Sequence, residues 1–170
     1  MDYKFLLIQL VSVVAWLFIV LSYYRKNTNK ILVFQIIANI TFCFHYLLLG
    51  AFSGVLICGI EALCNYGYYK TDKDKYIYRI SIPFRILGGS FMIKTWIDIL
   101  PILASLVDGY SLTKNKEFVI IGGIITYLIW VIYDLSVMSF TGAIFDGIIV
   151  ISNIYIIIKN NKNSILLKQH

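Results

Sequence analysis

The stretch Tyr76-Ile77-Tyr78-Arg79-Ile80-Ser81-Ile82-Pro83-Phe84-Arg85-Ile86-Leu87-Gly88-Gly89-Ser90-Phe91-Met92 decides the fold. It is nearly long and apolar enough to cross a bilayer, yet it holds Arg79, Arg85, Pro83 and a glycine pair. Around it lie six plainer apolar runs, Phe5–Tyr23, Ile31–Leu49, Phe52–Tyr69, Trp96–Leu112, Phe118–Val137 and Phe140–Ile158. A spanning helix takes roughly 20 mainly apolar residues, so each run has about the required length. Whether the chain crosses six or seven times depends on the doubtful run alone.

The basic residues settle that question. If Tyr76–Met92 crosses, then Arg25, Lys26, Lys30, Lys70, Lys73, Lys75, Arg79, Lys114, Lys116, Lys159, Lys162 and Lys168 share one side. Only Lys4 and Lys94 fall on the other. If it does not cross, everything after it inverts, and Lys114, Lys116 and the C-terminal lysines change sides. Lysine and arginine collect on the cytoplasmic face of membrane proteins. Charge placement therefore predicts seven spans, with the N-terminus outside and the C-terminus in the cytoplasm. Tyr23, Tyr24, Tyr66, Tyr69 and Tyr110 crowd the same edge, where interfacial tyrosines belong.

Composition agrees with membrane residence. The chain has 170 residues, 59% hydrophobic and 14% charged, against about 25% charged for soluble domains. The net charge of +6 flanks apolar runs and forms no nucleic-acid-binding patch. Cys43, Cys58 and Cys64 fall inside predicted spans without metal-type spacing, and an odd count supplies no disulfide framework. Phe5–Tyr23 lacks a basic n-region and a small-x-small cleavage site, which predicts a retained helix rather than a signal peptide.

The chain also matches itself without gaps. Phe52-Ser53-Gly54 lies over Phe140-Thr141-Gly142, an offset of 142 − 54 = 88. At that offset Lys26-Asn27 lies over Lys114-Asn115 and Asn65 over Asn153. The predicted architecture is all-α: seven transmembrane helices as two parallel three-helix repeats, residues 1–70 and 95–159, joined by a linker helix within 71–94. Residues 160–170 are predicted to form a cytoplasmic tail. Three spans reverse the chain's direction, so one further crossing is needed before a parallel repeat can begin. Parallel repeats are an established transporter plan with substrate sites near the midplane of their interface.

This three-plus-one-plus-three pattern is similar to that of the PQ-loop, SWEET and PnuC transporters, and most of all resembles the YgjV family of bacterial inner membrane proteins. The resemblance covers nearly the whole chain. It rests on Ser22-Tyr23-Tyr24-Arg25-Lys26, Phe44-His45-Tyr46-Leu47-Leu48-Leu49-Gly50, Leu100-Pro101-Ile102 and Trp130-Val131-Ile132-Tyr133. It implies residence in the bacterial cytoplasmic membrane and a transporter-like architecture. Sugar-carrying relatives place an asparagine from each repeat at the substrate, and Asn65 and Asn153 match that pattern. Their paired tryptophans are matched only loosely by Trp16 and Trp130, which are not repeat equivalents. The Pro-Gln dipeptide is absent, since Pro101 is followed by Ile102.

Charged and polar residues inside the spans are costly and mark partners or wet cavities. Glu61 sits mid-span with Asn65 one turn on, and reads either as a substrate or proton site or as a helix–helix hydrogen bond. Arg85 reads either as an attractor of anions or as an ion pair with Glu61, Asp108 or Asp146. The cost of an unpaired buried charge favours the pair. Asp98, Pro101, Ser105 and Asp108 recur at helical spacing and predict an inward stripe, with Asp98 solvated at the outer surface and Pro101 a source of a hinge or a free carbonyl. Thr126, Trp130 and Asp134 share one face, as do Asp146 and Asn153. His45 and Asp134 fall near outer helix ends, which predicts interfacial, partly solvated positions. Gln35 and Asn39 read as packing residues.

No nucleophile–base constellation, metal-ligand cluster or phosphate-binding glycine loop is present, which points away from an enzyme, a metal or a cofactor. The leading function is transport or facilitated passage of a small solute by alternating access, with Asn65, Asn153, Glu61, Trp16 and Trp130 at the substrate. Arg85, Asp108, Asp146, Pro101 and His45 are candidates for gating or ion pairing. The alternative is a non-transporting sensor or partner-binding protein with a closed, fully paired polar centre. The partners implied are the lipid bilayer and a small molecule, with no nucleic acid; assembly into a homo-oligomer stays open.

Overall fold

A computed structural model describes residues 3–71 and 74–167. Seven α-helices occupy almost all of them: α1 (Tyr3–Tyr23), α2 (Thr28–Leu49), α3 (Phe52–Thr71), α4 (Asp74–Met92), α5 (Ile99–Leu112), α6 (Lys116–Ser136) and α7 (Phe140–Leu167). A short 3-10 turn, Trp96–Asp98, leads into α5. No strand occurs among the described residues. Two boundaries differ from the sequence-based expectation. Helix α7 continues through the predicted tail to Leu167, and residues 168–170 lie outside the described part. The fifth helix is shorter than its apolar run, because Asp98 folds back to accept hydrogen bonds from the N–H groups of Lys94 and Thr95 and from the Thr95 hydroxyl.

By length and composition four helices can cross a membrane: Tyr3–Tyr23, Thr28–Leu49, Glu117–Ser136 and Phe140–Lys159. Only 22% to 28% of the residues in those spans are buried inside the protein. Their outer faces carry Leu10, Leu17, Ile144 and Ile151, each more than half exposed. Facing water, each such side chain would forfeit about 1.5–3 kcal/mol of burial; facing hydrocarbon it forfeits nothing. The interior is instead lined by small residues, among them Ser12, Ala15, Ala38, Ala104 and Ser105, all at 3% exposure or less. Small side chains let membrane helices approach closely, since hydrocarbon supplies no hydrophobic drive between them. Helix α5, at 14 residues, is only about 21 Å long.

The helices form a ring in the order α1, α2, α3, α5, α6, α7, closed by contact of α7 with α1. Helix α4 stands outside this ring, packed on α3 and α5 over their seam. One end of the ring, here the turn end, carries the tight α2–α3 and α6–α7 connections. The opposite, basic end carries the exposed Arg25, Lys26, Lys30, Lys70 and Lys114.

The two tight turns are built alike. Gly50 and Met138 both adopt left-handed backbone, at φ 72° and 62°. In the first turn Ala51 N–H donates to Tyr46 O at 2.9 Å; in the second Ser139 N–H donates to Asp134 O at 2.8 Å. Glycine adopts this conformation freely, whereas at Met138 it costs roughly 1–2 kcal/mol. At the basic end, Asn27 and Asn115 cap α2 and α6 by accepting from Lys30 N–H and Phe118 N–H, satisfying donors that a helix start leaves free.

Candidate functional site

The ring encloses a chamber of about 650 Å³. Its wall runs from Tyr46 and Asp134, near the turn end, to Tyr23, Thr113 and Val119, in the last or first turns at the basic end. At the turn end the helices meet and hydrogen-bond across the axis. Tyr46 on α2 donates its hydroxyl to Asp134 on α6 at 2.8 Å, and the two residues stand 88 positions apart. Tyr46 also stacks on Trp130 at 5.8 Å.

Two further contacts cross in complementary directions. His45 Nδ1 lies 2.9 Å from the carbonyl of Ile8, which can only accept, so Nδ1 carries the proton of the neutral ring. Nε2 then accepts from Ser139 Oγ at 2.8 Å. Tyr133, 88 positions after His45, reaches the other turn: it accepts from Gly54 N–H at 2.9 Å and lies 3.0 Å from Ser53 Oγ. Ser53 donates its own proton to Asp98 at 2.9 Å, so Tyr133 donates to Ser53. On the opposite seam Gln9 donates to Met138 O at 2.9 Å and accepts from the Thr141 hydroxyl at 2.9 Å. Gly142 is essential to this closure, because a Cβ there would stand 2.0 Å from Asp134 Oδ2.

This network corrects the expected solvated placement of His45 and Asp134, which are 0% and 1% exposed. Helix-end position suggested an interface; crossing partners from the facing turn bury both. Asp98 is likewise not simply solvated, since it caps its own turn and ties it to Ser53. Pro101 is buried in the first turn of α5, where the helix leaves N–H groups without internal partners. It therefore introduces no hinge there; Pro83, inside α4, is the interior proline.

The middle of the wall holds the polar candidates. Arg85 is 1% exposed and reaches from α4 through the α3–α5 seam to pair with Glu61. It also donates to Ser81 Oγ at 3.0 Å and Ser105 O at 3.1 Å, and its second terminal nitrogen lies 3.6 Å from Cys64 Sγ. Asp108 and Asp146 line the chamber and do not pair with Arg85. Asn65 from α3 and Asn153 from α7 face the same space, and neither side chain hydrogen-bonds to another described residue. Trp16 and Trp130 also reach the wall, with Trp16 stacked on Phe145 at 5.3 Å and edge-on to Phe42 at 5.9 Å.

Gln35, Asn39 and Tyr127 belong to the wall as well. The first two correct their assignment to packing; spacing of four residues on one face was the available signal. Among the described residues, no group of three or more His, Cys, Asp or Glu could hold a metal ion. A family model described as a bacterial inner membrane protein, Imp-YgjV, matches residues 6–164. No curated protein matches the chain. No solved structure matches it either.

Proposed function

The chain belongs to the YgjV family of bacterial inner membrane proteins, and we propose on that premise that it carries small solutes across the cytoplasmic membrane. In this proposal α1–α3 and α5–α7 are parallel repeats, α4 is the linker span, and the two units rock against each other. The observation that carries it is the chamber between them, sealed at one end by paired hydrogen bonds and continuous to the helix termini at the other. An asparagine from each unit, without a hydrogen-bond partner among the described residues, faces the enclosed space, which weighs against a dry, fully paired sensor centre. The caps Asn27 and Asn115, the turn residues Gly50 and Met138, and the crossing pair Tyr46 and Asp134 are all related by 88 positions, which supports the repeat. The basic end is assigned to the cytoplasm, so the chamber opens inward in this state.

Uptake into proteoliposomes tests the activity. Flux of at least one solute from a panel of sugars, vitamins, nucleosides, amines and amino acids is expected; no flux for any of them would count decisively against transport. Reporter fusions test the orientation. A reporter joined after Asn115 should respond as cytoplasmic and one joined after Gly50 as external, and the reverse pattern would overturn the assignment.

A further inference from the structure

The chamber wall is unbalanced in charge. Glu61, Asp108, Asp134 and Asp146 all reach it, whereas among the described residues Arg85 is its one basic group, and that guanidinium is engaged by Glu61. The imbalance is sharpest at the closed end. Asp134 spends Oδ1 on the Tyr46 hydroxyl, while its buried Oδ2 packs against the turn beside Gly142 and Ser139. Asp146 is 6% exposed, faces the chamber and hydrogen-bonds to no described residue. Carboxylates so far removed from water are expensive unless a proton or a compensating charge neutralises them.

The surfaces around these carboxylates are aromatic. Trp16, Phe42, Tyr46 and Trp130 form a connected series of ring contacts between 5.8 and 6.3 Å. Aromatic faces attract cations through their quadrupole, most strongly when water is excluded. They offer nothing of this kind to a hard, hydrated metal ion, which wants oxygen ligands. The indole ring of Trp16 lies on the same wall, and its N–H is buried behind it with no acceptor among the described residues. Carboxylates and ring faces together match one chemistry: an ammonium or other organic cation.

We propose that the closed end of the chamber, around Asp134, Asp146, Trp16 and Trp130, is a binding site for a small organic cation. The proposal rests on the transport reading for its physiological sense but makes a separate claim about charge. The alternative state, in which protons alone neutralise both aspartates, predicts no preference for charged ligands.

Matched probes distinguish these cases. Titration calorimetry on the full chain in nanodiscs would compare choline with its neutral isostere 3,3-dimethylbutan-1-ol, and phenethylammonium with 2-phenylethanol. At least one cation should bind about ten-fold or more tighter than its neutral twin. Asp146→Asn should abolish that preference and Asp146→Glu should retain much of it, with Trp130→Leu weakening the cation selectively. Equal binding within both pairs, or a preference unchanged in a folded Asp146→Asn protein, overturns the proposal. Should Asp146→Asn fail to fold, the Trp130→Leu protein decides, and an unchanged cation preference there is equally fatal. Cation binding without any flux would instead overturn transport alone; flux of neutral solutes that ignores Asp146→Asn would spare transport and sink the cation site.

Discussion

Arg85→Ala is expected to cost about 3–5 kcal/mol of stability, the range for removing one partner of a buried ion pair. The loss is large because Arg85 serves several acceptors at once, on α3, α4 and α5. Its removal strands Glu61 and frees the carbonyl of Ser105. Glu61 is 27% exposed toward the chamber, so solvent relieves part of the penalty and places the effect at the lower end. For a chain of this length, about 3 kcal/mol corresponds to a fall in melting temperature of roughly 6–12 °C. Thermal unfolding in detergent would measure it. Arg85→Met combined with Glu61→Leu should recover most of the loss, since the two apolar side chains leave no orphan charge. A fall of less than about 2 °C in the single variant would mean that α4 is held by packing alone.

The second large effect concerns flux. Each unpaired amide, Asn65 or Asn153, offers a solute a donor and an acceptor inside the chamber. Deleting a partner that leaves a buried polar group unsatisfied costs about 1–3 kcal/mol. Asn65→Ala and Asn153→Ala should therefore each slow uptake by about five- to 150-fold, and the double variant should fall beyond about 100-fold. Neither amide bonds to another described residue, so melting temperatures should stay nearly unchanged. Should both single variants transport at the parental rate, the solute is held elsewhere on the wall, and Gln35 and Asn39 become the next residues to replace.

Much of the helix pattern was legible because membrane helices announce themselves. Apolar runs placed most boundaries within a turn of those observed, and their two-residue gaps at 50–51 and 138–139 marked both tight turns. The left-handed backbone of the second was not legible, since nothing in Met138 signals it; the carbonyl hold by Gln9 comes from a helix more than a hundred residues away. The shortened α5 was hidden for a similar reason. Trp96 and Ile97 are apolar enough to extend the run, but the local fold of Asp98 onto Thr95 overrides that pattern.

Within the candidate site, the spacing of Glu61 and Asn65 correctly indicated a shared face. The choice of partner for Arg85 required three dimensions, because Glu61, Asp108 and Asp146 are equally plausible by depth. His45 and Asp134 were misjudged because depth along a helix was taken as exposure. Their burial depends on the opposite turn folding over them, which no single segment reveals.

The helix outside the ring has a mechanical meaning. Helix α4 clamps the α3–α5 seam through Arg85 and the Tyr78 hydroxyl, which donates to Leu106 O at 3.0 Å. The α1–α7 seam has no such cover and closes at the turn end through Gln9 and ring contacts such as Phe5 on Phe140. Under the proposed cycle, two half-shells riveted along one edge and merely latched along the other would open as a purse does, with the riveted edge as the hinge pin and the widest gape at the latch beside Gln9.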